Sequence, residues 1–114
     1  MTISYHHRRF RPILNAPAGD VSRDTLFHYH QRGDVVWATY AGGAVRFGTL
    51  IATVDVTGRL DMRYQQVATD GSIKAGRCTS TPEVLPDGRL RLHESWNWTE
   101  GGEGSGTSVI EEMD

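Results

Sequence analysis

The sequence predicts an all-β protein, an antiparallel up-and-down meander of about eight strands that closes into a barrel. Turn signals recur at Gly33-Asp34, Gly42-Gly43, Thr57-Gly58, Asp70-Gly71, Pro86-Asp87-Gly88 and Gly101 to Gly106. The segments between them are short and rich in Val, Thr, Tyr, Phe and Trp, which is how strands joined by tight hairpins are written. No stretch carries the apolar period of a long helix.

The chain has 114 residues, enough for one core, so residues 1–114 are expected to form a single β-barrel domain. Strands are expected near residues 3–11, 25–32, 35–41, 44–54, 59–68, 73–82, 89–99 and 107–113. The connection from Pro12 to Asp24 carries two prolines, a glycine and cap residues, and reads as a loop with at most one helical turn.

Opposed residues of an antiparallel hairpin share a face, which makes each pairing checkable. A two-residue turn at Gly33-Asp34 sets Phe27 against Tyr40, Tyr29 against Ala38 and Gln31 against Val36. A second at Gly42-Gly43 sets Tyr40 against Val45, Ala38 against Phe47 and Val36 against Thr49. An even loop at Asp55 to Gly58 then joins Ile51 and Thr53 to Leu60, Met62, Tyr64, Gln66 and Ala68 on the inner face. A turn at Asp70-Gly71 brings Ile73, Ala75, Arg77, Thr79 and Thr81 inward and leaves Cys78 outside. In the seventh strand Leu90, Leu92, Glu94, Trp96 and Trp98 face inward.

An open sheet of this size would leave two edges, and closure removes both. The basic first strand (His6, His7, Arg8, Arg9, Arg11) and the acidic last one (Glu111, Glu112, Asp114) suit neighbouring closing strands. The same turns permit a sandwich or a half-barrel closed by dimerisation. An eight-stranded barrel is just wide enough to fill with side chains or to hold one small ligand.

Composition excludes several classes. A net charge of −2 gives no bulk attraction to phosphate backbones, so no nucleic-acid partner is expected. Cys78 is the single cysteine, which rules out an intramolecular disulfide and a thiolate metal site. The beginning of the chain lacks an apolar signal region and no run reaches the roughly 18 apolar residues of a membrane span, so the expectation is a cytoplasmic protein with no membrane partner. The segment from Gly101 to Gly106 lacks the lysine of a phosphate loop and joins strands. No cofactor is expected.

Arg77 and Glu94 are the charged residues assigned to the interior, near Tyr29, Tyr40, Tyr64 and Trp96. These six are the candidate ligand-binding residues, with Arg77 recognising a carboxylate and Glu94 a donor or proton; the alternative is a structural Arg77–Glu94 pair, because buried charges need partners. Glu94 is also the candidate catalytic acid or base. His28 and His30 share one strand face but fall outside, opposite Thr39 and Trp37, so no metal site is expected and a His30–Trp37 stack is. Val35, Trp37 and Leu50 form an outer apolar stripe, either a homodimer face or the seat of the Pro12–Asp24 loop.

The segments FHYHQRGDVVWATYAGG, LDMRYQ, STPEVLPDGRLRLHESWNW and SVIEEMD resemble a family of small bacterial proteins often labelled N-acetylglutamate synthase, over about Phe10 to Met113. That label implies acetyl transfer from acetyl-CoA. The familiar acetyltransferases hold the cofactor pyrophosphate on an Arg/Gln-Gly-Gly loop before a helix, and this sequence contains neither. In shape it is similar to a calycin, lipocalin-like or avidin-type barrel. The functions this leaves are binding of one small, partly aromatic or carboxylate-bearing molecule inside the barrel, catalysis through Glu94, or association of a filled barrel with protein.

Overall fold

The computed structural model describes residues 3–15 and 19–113, and the regular structure among them is all strand, with no helix. The eight strands are β1 (Arg9–Asn15), β2 (Leu26–Arg32), β3 (Val35–Gly42), β4 (Val45–Val54), β5 (Leu60–Ala68), β6 (Ile73–Val84), β7 (Leu90–Glu100) and β8 (Ser105–Glu112). Each pairs antiparallel with the next, and β1 pairs with β8, so the sheet is a closed up-and-down barrel. Among the described residues no helix is long and apolar enough to cross a membrane.

The β2–β3 hairpin has the expected register, Phe27 opposite Tyr40 and Tyr29 opposite Ala38. The next one differs. Gly42 opposes Val45, but Tyr40 then opposes Gly48 and Ala38 opposes Leu50, because a bulge after Val45 inserts one residue into β4. One extra residue exchanges the two faces of a strand. Gly48, Leu50 and Ala52 therefore point inward, while Phe47 and Ile51 are 52% and 58% exposed.

The loops after β4, β5 and β6 share one hydrogen-bond pattern. Asp55, Ala68 and Leu85 each donate their N–H to the carbonyl four residues on, and each accepts the N–H of a glycine three residues on: Gly58, Gly71 and Gly88. These glycines lie at φ 89°, 87° and 90°, as the left-handed residue that follows a tight turn and forms a bulge. The glycine thus comes after the turn instead of inside it, and each loop has odd length. After Asp70-Gly71, Val67 pairs with Ile73 and Met62 with Cys78, so Cys78 and Ser80 are buried and Arg77 is exposed.

The two ends of the barrel differ. Residues 3–8, expected in the first strand, precede it and close one end. Tyr5 is fully buried there, its hydroxyl donating to the Gly58 carbonyl and its N–H to Gln31 Oε1. It packs with Tyr29, whose other side meets Phe10. Leu60, Leu90, Leu92 and Val36 fill this half of the barrel. The seam carries an Arg8–Glu112 ion pair at 2.6 Å, so the opposite charges of the two terminal segments do meet.

The other half, toward the β3–β4, β5–β6 and β7–β8 turns, is less filled. The β1–β2 connection begins later than expected, since β1 runs to Asn15; residues 16–18 lie outside the described residues. Its later part makes a turn closed by Thr25 N–H to the Ser22 carbonyl, and Val21 packs against the core.

Candidate functional site

A pocket enters the barrel at this less filled end. Its walls alternate aromatic and small residues because each tyrosine ring lies over a glycine on the neighbouring strand: Tyr40 over Gly48 and Tyr64 over Gly76. Phe27 stacks on Tyr40 with centroids 4.8 Å apart, and Trp98 meets Tyr64 at 5.5 Å and Trp96 at 5.9 Å. Leu50, Met62 and Cys78 complete the apolar lining. The cavity volume is about 50 Å³, room for a few waters at roughly 10–15 Å³ per water.

The polar groups fall at two depths. At the mouth, Tyr40 Oη donates to Gln66 Oε1 at 3.0 Å, Gln66 Nε2 donates to Asp20 Oδ2 at 3.0 Å, and Lys74 Nζ reaches the same oxygen at 2.9 Å. Lys74 also lies 5.4 Å from the centroid of the Trp98 ring, a cation–π approach. Halfway down, Glu94 on β7 sits between Ser80 of β6 and Ser108 of β8. Ser108 Oγ donates to Glu94 Oε1 at 3.1 Å.

Burial sets the electrostatics of this level. Glu94 keeps some exposure through the pocket, but its carboxyl is desolvated by the barrel wall and its pKa is pushed up to about 7, against the lowering effect of the Ser108 hydrogen bond. Burial, and then the Glu94 charge among its neighbours, also raise the Tyr29 hydroxyl well above its ordinary value. Burial does the same for Tyr40 and Tyr64. Among the described residues, Tyr29 Oη and Ser80 Oγ are buried with no hydrogen-bond partner. A carboxyl that titrates near neutrality can accept or donate a hydrogen bond, or a proton.

Five of the six expected lining residues lie inside: Tyr29, Tyr40, Tyr64, Glu94 and Trp96. Tyr29 belongs to the packed half and the other four line the pocket. Arg77 does not join them. It is exposed on the outer face, registered between Arg63 and Asn97, so neither the carboxylate contact nor the Arg77–Glu94 pair exists. Cys78 takes the inner position instead, and burial followed by the Glu94 charge raises its thiol far above the ordinary range, which keeps it protonated. Sequence parity also missed Asp20 and Lys74, which reach the mouth from a loop and from a strand whose facing had been exchanged.

On the outside, Trp37 stacks on His30 with centroids 5.8 Å apart, as expected. Leu50 leaves the outer stripe, being 4% exposed and inward. Ile51, opposite Trp37, replaces it beside Val35 and Trp37. Ile13 and Leu14 are exposed on β1.

No curated protein and no solved structure gives a match to this chain. A family model described as avidin-like protein matches residues 3–113, while the N-acetylglutamate synthase label gains no support. With that match spanning nearly the whole length, and with eight antiparallel strands closed around a pocket open at one end, the chain belongs to the avidin-like family.

Proposed function

We propose that the barrel binds one small, flat molecule through its open end, packing a ring against Tyr64, Trp96 and Trp98 and giving an N–H or O–H to Glu94. The observation that carries this reading is the state of Glu94. A carboxyl halfway down an apolar barrel is costly to bury, yet among the described residues only Ser108 hydrogen-bonds it and no ion pair reaches it. The pocket opens onto that carboxyl, and a ligand donor would supply the missing partner. Aromatic walls with a few convergent polar groups are the usual makeup of a small-molecule site.

A carboxylate on the ligand has no partner in the exposed Arg77; the cation at the mouth is Lys74, held by Asp20. Membership of the avidin-like family supports ligand binding without naming the ligand. The test is a fragment titration followed by tryptophan fluorescence, since Trp96 and Trp98 line the pocket and Trp37 does not. Saturable quenching that is lost in Glu94→Gln supports the reading, and fragments that quench the two proteins equally contradict it.

A second reading, Glu94 as acid or base in a reaction, is favoured by its pKa of about 7. It requires turnover of a bound molecule, whereas binding alone does not. The proposal further includes a cytoplasmic protein that forms a homodimer through Val35, Trp37 and Ile51, supported by exposures of 36%, 39% and 58%. Light scattering at micromolar concentration, with Trp37→Lys as the disrupting variant, tests the dimer.

A further inference from the structure

We propose that His6, His7 and His30 form a binding site for one borderline divalent transition metal, of which zinc is the representative, on the outside of the closed end of the barrel. Each imidazole offers one nitrogen, and the three nitrogens lie within 4.8 Å of one another. Zinc bound at about 2.0–2.1 Å from each nitrogen sets tetrahedral ligands roughly 3.3 Å apart. The rings must close by about an ångström and a half, a movement open to rotamers of surface side chains.

The backbone brings these rings together. His7 is the non-glycine residue with positive φ among the described residues, at 65°, and its N–H is held by the Tyr29 carbonyl at 2.9 Å. That left-handed turn stacks the His6 and His7 rings at 3.8 Å between centroids and sets them 6.0 and 5.9 Å from His30. A strained conformation at a cluster of ligating side chains is where a functional constraint is expected. The His28 ring lies 4.5 Å from that of His30, outside the three-nitrogen cluster.

The chemistry of the rings agrees. His6 Nδ1 accepts the Gln31 N–H at 3.0 Å, so Nδ1 carries the lone pair, and a metal would take the place of that exposed amide. Imidazole donors without thiolate suit zinc, nickel or cobalt(II). Such a metal would tie the segment of residues 3–8 to β2.

The test uses the full chain without an affinity tag, dialysed against zinc chloride and analysed for bound metal, with cobalt(II) absorption reporting the geometry. The expected result is one zinc per chain, a tetrahedral cobalt spectrum and a metal-dependent rise in melting temperature. His7→Asn, which tolerates the left-handed backbone, and His30→Gln should each weaken binding at least tenfold. His93→Gln, remote and held by Glu83, should leave it unchanged. Failure to retain zinc at micromolar concentration, or unchanged affinity in His30→Gln with circular dichroism confirming its fold, would overturn the assignment.

Discussion

The Tyr40 ring lies over Gly48, the residue opposite it on β4, so closely that a Cβ at position 48 would clash with the ring. Tyr64 stands in the same relation to Gly76 on β6. Two glycines thus let two tyrosines lie down inside the barrel, where they shape the pocket. Gly48→Ala should expel the Tyr40 ring, break its hydrogen bond to Gln66 and cost about 1–3 kcal/mol, as overpacking does. Urea denaturation measures the loss.

Glu94 should make stability depend on pH. Its folded pKa, about 7, lies above the ordinary 4.5. The folded state therefore holds the proton more tightly, so the contribution is full below about pH 4.5 and is lost as pH rises through about 7. A shift of this size corresponds to roughly 3 kcal/mol. Denaturation of the parent and of Glu94→Gln at pH 5 and pH 8 should show the parent losing up to about that much more than the variant.

Tyr5 holds the closed end. Tyr5→Phe removes the hydroxyl bond to the Gly58 carbonyl and should cost about 1 kcal/mol. Tyr5→Ala leaves a cavity against Tyr29 and should cost about 3–5 kcal/mol. Thermal unfolding of both variants checks the order.

Arg77→Met should leave stability within about 0.5 kcal/mol, as surface changes do, and leave fragment binding unchanged. Asp20→Asn should weaken the hold on Lys74 and Gln66 at the mouth. Comparing fragment affinities of the two variants separates the outer face from the pocket.

The barrel and its strand order were legible because β2, β3, β5 and β7 each carry their own alternation, with Tyr29, Met62 and Leu92 inside irrespective of the loops. The facing of β4 and β6 was not, because it hung on loop length. β4 has apolar residues on both faces, Leu50 inside and Ile51 outside, so its pattern could not expose the bulge after Val45. In β6 the Asp70-Gly71 pair reads as a two-residue turn, while Gly71 is the bulge residue that follows one. That single residue moved Arg77 out of the candidate site and Cys78 into it. Glu94 survived because Leu90, Leu92 and Trp96 fix the facing of its strand. The histidine cluster has no signature in the sequence, because residues 3–8 leave the strand pattern at a left-handed residue, His7, that no periodicity announces.

Amide and indole NMR of the labelled chain, titrated with flat heteroaromatic fragments, tests ligand binding at the open end most directly. Shifts concentrated at Glu94, Ser108 and the Trp96 and Trp98 indoles, absent from Arg77 and abolished by Glu94→Gln, are the predicted result. Shifts confined to the outer face around Trp37 or Arg77, or no binding by any fragment, would contradict it.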